Sequence, residues 1–182
     1  MRGSLRTRLL IFIVLSIAAV LIPNLLRQAQ QSAQAEIKVQ QQAVQRALDF
    51  KLDTLRGHLS SYQFTLGIVR SESESENAQA LLANATNNFL TLTKPELRML
   101  EPLVKRQDEL TRKVLGRSSS SQFTQLARLE GTFRQIGPIA DEFLESFGTD
   151  MQSSLEMDTL AQLLQVYRAS LFDLDETLKR DS

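Results

Sequence analysis

The sequence predicts an all-α chain: an N-terminal transmembrane helix, then an extracytoplasmic antiparallel bundle of four or more helices with coiled-coil-like seams. Three observations carry this expectation. An uncharged run of 14 residues, Leu9 to Ile22, follows Arg2, Arg6 and Arg8. Two later segments repeat apolar residues at alternating spacings of 3 and 4, the heptad signature of packed helices. The exported part is rich in Gln, Leu, Ala, Glu and Arg, all good helix formers, and it lacks the alternating β-branched runs of strands.

The apolar run continues past Pro23 and Asn24 to Leu25-Leu26 and so reaches 18 residues, within the roughly 17–25 needed to span a bilayer. Three arginines precede it, no acid occurs before Glu36, and Arg27 alone follows closely. That asymmetry holds the N-terminus in the cytoplasm and exports the chain from about Gln28 onward. Pro23 is tolerable there, since neighbouring groups in a membrane helix re-satisfy the freed carbonyl. Residues 1–27 are thus read as a basic cytoplasmic tip and membrane anchor. The alternative is a cleaved signal peptide, for which Ala33-Gln34-Ala35 offers the small-x-small pattern.

Residues 28–45 hold eight glutamines with few large apolar groups. They read as a solvated helical stalk, too polar to bury much of itself. Residues 46–182 read as the bundle. With no cysteine in the chain, an apolar core must hold it together without disulfides.

The first bundle helix carries Leu52, Leu55, Leu59, Tyr62, Leu66 and Val69 at spacings of 3, 4, 3, 4 and 3. Val44 and Leu48 extend the stripe backward with one skipped step. Ser71 to Glu76 interrupts it, with glutamates suited to the dipole of a new helix start. A second helix presents Ala78, Leu81, Leu82, Ala85, Phe89 and Leu92 on one face. Pro95 predicts a restart at Thr93–Glu96, Pro102 a kink or second restart, and Gly116 a C-terminal cap.

Arg117 and Ser118–Ser121 read as a loop. Phe123, Leu126, Phe133 and Ile136 define the next helix, expected to end at Gly137-Pro138. Ile139, Phe143, Leu144 and Phe147 form a short amphipathic piece closed by Gly148, and Thr149 or Asp150 can cap the last helix. Its seam is Met157, Leu160, Leu164, Tyr167, Leu171, Leu174 and Leu178, about 32 Å of helix at roughly 1.5 Å per residue. The polar end, Lys179 to Ser182, predicts no second crossing.

Charge excludes some functions. Removing Arg2, Arg6, Arg8 and Arg27 from the 21 basic residues leaves 17 against 21 acidic ones, a net charge of −4 for the exported part. Nucleic acid is not an expected partner, because it needs a basic face to neutralise phosphates. With one histidine and no cysteine, no metal or other cofactor is expected. His58 lies five residues after Asp53 and nine after Asp49, spacings that do not converge on one helix face, so it reads as solvent-facing beside the seam. Asp49/Asp53 and Asp141/Glu145 are stacked carboxylates whose ordinary reading is a solvated face rather than acid–base machinery. No nucleophile, phosphate loop or metal constellation points to an enzyme.

Two sets of residues are candidates for binding. Arg56, Arg70, Arg128, Arg134 and Arg168 are candidate ligand groups, since a guanidinium grips a carboxylate with two bonds; the ordinary reading is a surface ion pair for each. The two heptad seams are the candidate interaction surface, in an internal bundle, a homo-oligomer or a complex with another membrane protein. Tyr62 and Tyr167 are expected in the core. The cluster Phe133, Phe143 and Phe147 is also read as core, becoming a docking patch if residues 138–147 pack poorly.

The opening segment LRTRLLIFIVLSIAAVLIP, residues 5–23, resembles the N-terminus of bacterial membrane sensors such as chemoreceptors and sensor histidine kinases. ALDFKLDTLRGHLSSYQFTLGIV, residues 47–69, is similar to the first helix of their ligand-binding domains. The resemblance covers about the first 70 residues and concerns architecture, not a ligand. It implies signal input at the bacterial inner membrane, with the bulk of the chain in the periplasm and a small molecule or a partner as stimulus. The chain departs from those sensors in showing neither a second membrane helix nor an output domain. The alternative is therefore a structural or interaction subunit of an envelope assembly, in secretion, division or lysis, that binds partner helices through its heptad faces.

Overall fold

A computed structural model describes residues 3–71, 76–116, 120–147 and 152–180. Among them are four helices and no strand: α1 (Gly3–Ser71), α2 (Glu76–Leu115), α3 (Ser120–Ser146) and α4 (Gln152–Arg180). The chain forms two compact units, residues 1–40 and 41–182.

In the first unit the described backbone is helical throughout. Phe12, Leu15, Ile17, Val20, Leu21, Ile22, Leu25 and Leu26 are each more than half exposed. Successive apolar residues such as Val20, Leu21 and Ile22 point to different sides of a helix, so the exposed apolar surface runs around it. Among the described residues no helix is long and apolar enough to cross a membrane. The side chains of residues 3–11, Ile13 and Val14, which include the start of the apolar run, lie outside the described set.

The second unit is an antiparallel four-helix bundle whose order of contacts follows the chain. Lys51 on α1 pairs with Glu96 on α2 at 2.7 Å, Gln79 on α2 donates to the Leu144 carbonyl on α3, Arg128 on α3 meets Asp173 on α4 at 3.5 Å, and Arg56 on α1 meets Asp175 on α4 at 2.5 Å. Facing pairs run in opposite directions along neighbouring helices, from Lys51–Glu96 to Tyr62–Thr86 on α1 and α2 and from Arg128–Asp173 to Ser146–Glu156 on α3 and α4, which is the antiparallel arrangement. At the end of the bundle where Gln79 meets Leu144, the Ser146 hydroxyl donates to Glu156.

The heptad spacing explains the core. Leu48, Leu52, Leu55, Leu59, Tyr62, Leu66 and Val69 are buried on α1, as are Leu160, Leu164, Tyr167, Leu171, Leu174 and Leu178 on α4. Val44 and Met157 pack against them half-buried. Each leucine so removed from water contributes roughly 1.5–3 kcal/mol. Both seams are consumed inside the bundle.

The middle helices differ from the sequence expectation. The restart at Thr93–Glu96 does not occur, nor does a second restart at Pro102: α2 runs unbroken through Pro95 and Pro102, and α3 runs through Gly137 and Pro138. All three prolines are exposed, as are Thr91, Arg98 and Arg134 four residues before them. The carbonyls that lose a helical partner therefore face water, while burial of Leu97, Leu100, Val104 and Ala140 holds the helices together on the other side. Residues 139–144 are consequently part of α3, not a separate piece, and Ala140 and Phe143 are buried, so that segment is no loose docking patch. Leu81, Leu92 and Phe123, expected inward, are exposed, while Thr86, Thr93 and Leu129 are buried in their stead. Gly116 does cap α2: its φ is +65° and its N–H donates to the Arg112 carbonyl at 2.9 Å, the left-handed C-cap that favours glycine. The interruption at 72–75, most of the serine loop, and Gly148, Thr149 and Asp150 lie outside the described residues.

Candidate functional site

At mid-height the bundle core is a layer of four aromatic rings, one from each helix. Tyr62 stacks on Phe89 with centroids 4.8 Å apart. Phe89 also meets Phe133 at 5.9 Å and Tyr167 edge-on at 6.1 Å, and Phe133 lies 6.2 Å from Tyr167. Heptad position delivers the two tyrosines, and antiparallel pairing brings the two phenylalanines to the same height. Phe143 and Phe147 form a separate pair, 5.8 Å apart, so the three phenylalanines expected to cluster divide between two places.

The hydroxyls of the layer are treated unequally. Tyr62 shares a 2.9 Å hydrogen bond with the Thr86 hydroxyl. Burial pushes its ionisation up to about 12, with Thr86 opposing. The Tyr167 hydroxyl is buried with no hydrogen-bond partner among the described residues, and burial alone raises its ionisation above the ordinary phenol value.

Two surface notches reach this layer. One, of about 220 Å³ between α1 and α2, has Tyr62 and Phe89 in its wall and His58, Ser61, Thr65, Asn84 and Asn88 around it. His58 is half-buried, not solvent-facing, with Nδ1 3.5 Å from the Thr93 hydroxyl. The other, of about 210 Å³ between α2 and α3, is lined by Leu97 and Phe133 with Lys94, Arg98, Arg134 and Glu130. The first notch carries hydroxyl and amide groups beside His58; the second carries three cations and one carboxylate.

Of the five arginines singled out from the sequence, Arg134 alone lines either of these two notches, held 3.6 Å from Glu130. Arg56 bridges Asp53 at 2.8 Å and Asp175 at 2.5 Å; its hydrogen bond to Asp175 raises its own ionisation further. Asp175 also accepts from Lys179 at 2.9 Å. Burial pushes the Asp175 carboxyl up, but Arg56 and Lys179 together outweigh it and hold it below its ordinary value. Arg70 lies 4.0 Å from Asp158 with both side chains exposed, Arg128 pairs with Asp173, and Arg168 is exposed away from both notches. The five do not converge.

Lys94 and Arg98 escaped the sequence reading. Their one signal was two like charges at i, i+4 beside an apolar position, Leu97; Arg134 joins them only through the pairing of α2 with α3. Asp141 and Glu145 are exposed, and Asp49 accepts a 3.0 Å hydrogen bond from Gln45. Among the described residues no group of three or more His, Asp or Glu side chains is placed to hold a metal ion. Comparison with protein families, characterised proteins and solved structures finds no match to this chain.

Proposed function

We propose that this chain is a single-pass, membrane-anchored helical-bundle module for signal input at the bacterial envelope, with its N-terminus in the cytoplasm and the bundle in the periplasm. One pairing within the chain carries the reading: a helix girdled by exposed apolar side chains from Phe12 to Leu26, together with a bundle whose seams are closed on themselves. An exposed apolar girdle is costly in water, and with Leu9 to Ile11 before it in the sequence the uncharged run to Leu26 reaches 18 residues, the lower limit for a bilayer span. Arg2, Arg6 and Arg8 before it set the orientation. With its seams occupied internally, the bundle offers its notches to a stimulus rather than its heptad faces to a partner.

A second reading, an interaction subunit of an envelope complex, is favoured by one observation. Phe50 and Phe64 on α1 are 67% and 72% exposed and stand two heptads apart, hence on one face. A partner helix would dock there.

Both readings are tested on the full tagged chain in bacterial membranes. Resistance to alkaline carbonate extraction, with the bundle digested by protease added from the periplasmic side, is the expected outcome. Release into the carbonate supernatant would remove both. A small molecule that raises the melting temperature by mass action supports signal input; loss of a stoichiometric membrane partner in Phe50→Ala/Phe64→Ala supports the subunit.

A further inference from the structure

We propose that the notch between α2 and α3 binds a small aromatic carboxylate, with its ring against Phe133 and Leu97 and its carboxylate held by Arg98 and Arg134. The inference rests on the signal-input reading and names the chemistry of the stimulus.

Charge is the first ground. Lys94 and Arg98 stand one turn apart on α2 and Arg134 faces them from α3, while Glu130 is the sole carboxylate of the notch. The acid nearest in sequence, Glu96, is turned away and engaged by Lys51 at 2.7 Å. Like charges at i, i+4 repel one another and weaken a helix. A bound anion relieves that repulsion. Two guanidiniums suit a planar carboxylate, which accepts paired hydrogen bonds from each.

The floor is the second ground. Leu97 and Phe133 are 4% and 9% exposed, and Phe133 belongs to the aromatic layer, so its ring position is set by Phe89 and Tyr167. The open part of this wall is narrow, and a bare inorganic anion makes no apolar contact with it. An aromatic ring covers it and gains edge or offset contact with Phe133.

Size is the third. A cavity of about 150 Å³ accommodates benzene, so the 210 Å³ here takes one such ring and a carboxylate. It is too small for drug-sized ligands, which occupy roughly 300–1,000 Å³. Arg98 and Arg134 are exposed, which places the charged end at the mouth and the ring at the floor. Glu130, 3.6 Å from Arg134, competes with the incoming carboxylate.

The test is calorimetric titration of the full chain in zwitterionic nanodiscs with benzoate, and with benzamide, acetate and inorganic phosphate as comparators. Saturable binding of benzoate is expected, with benzamide and acetate each about tenfold weaker or worse. Arg98→Gln and Arg134→Gln should each weaken benzoate by a similar factor, and Glu130→Gln should tighten it. Circular dichroism confirms that these surface variants remain folded. Absence of benzoate binding, equal binding of benzamide, or unchanged binding in both arginine variants overturns the proposal. Phosphate binding that equals benzoate with the same arginine dependence overturns the aromatic class. Failure is distinguishable from failure of the signal-input reading, which is decided by carbonate extraction and by other ligands raising the melting temperature.

Discussion

The Tyr62 hydroxyl on α1 lies 2.9 Å from the Thr86 hydroxyl on α2, whereas Tyr167, in the same aromatic layer, has a buried hydroxyl with no partner among the described residues. Tyr62→Phe should therefore cost about 1 kcal/mol, the net worth of a buried hydrogen bond. Tyr167→Phe should be neutral or stabilising, because it removes a polar atom that was desolvated without compensation. Urea denaturation of the two variants measures the contrast; an equal loss in both would place a partner at Tyr167.

Both phenols should resist ionisation. The chain has two tyrosines and no tryptophan, so phenolate absorbance reports these two residues alone. Tyr62 is raised to about 12 and Tyr167 is raised by burial, against roughly 10 in an unfolded chain. A group with a raised folded value contributes stability that is complete below the unfolded value and is lost as pH rises through the folded one. The native bundle should thus show little phenolate at pH 11, and alkaline unfolding should release both together.

At the acid end the sign reverses. Asp175 is held below its ordinary range, so its contribution is present above the unfolded value of roughly 4 and is lost as pH falls through the folded one. Asp175→Asn should cost about 1–2 kcal/mol at neutral pH, allowing for the partial exposure of Arg56 and Lys179. It should also flatten the stability curve below pH 4. Thermal melts of wild type and variant from pH 2 to 7 show whether the two curves converge.

Phe89 touches the rings of Tyr62, Phe133 and Tyr167. Phe89→Ala should cost about 3–5 kcal/mol, as large core truncations do, and exceed the cost of Leu92→Ala three residues on, where the side chain is 53% exposed. Comparable losses at the two positions would show that the layer is not the centre of the core.

Gly57 and Gly67 sit within α1, and a Cβ on either would meet nothing within 4 Å. Gly57→Ala and Gly67→Ala should each stabilise the bundle by roughly 0.5–1 kcal/mol through helix propensity alone. A loss of stability would reveal a neighbour against that face.

The helical class and the two long seams were legible in the residue order, because a heptad stripe of leucines has a single low-energy use: burial along another helix. Leu52 to Val69 and Leu160 to Leu178 went inside, and Gly116 capped α2, since a local φ requirement is written in one residue. The continuity of α2 through Pro95 and Pro102 was not legible. A proline's local cost is set by the residue, but whether the helix survives depends on whether the freed carbonyl faces water or core, and the neighbouring helices decide that. Arg134 was visible as a candidate; its companions Lys94 and Arg98 were not. The four-ring layer of Tyr62, Phe89, Phe133 and Tyr167 was likewise hidden. Periodicity along one helix says which side turns inward, while the height at which residues of different helices meet is set by the packing of all four.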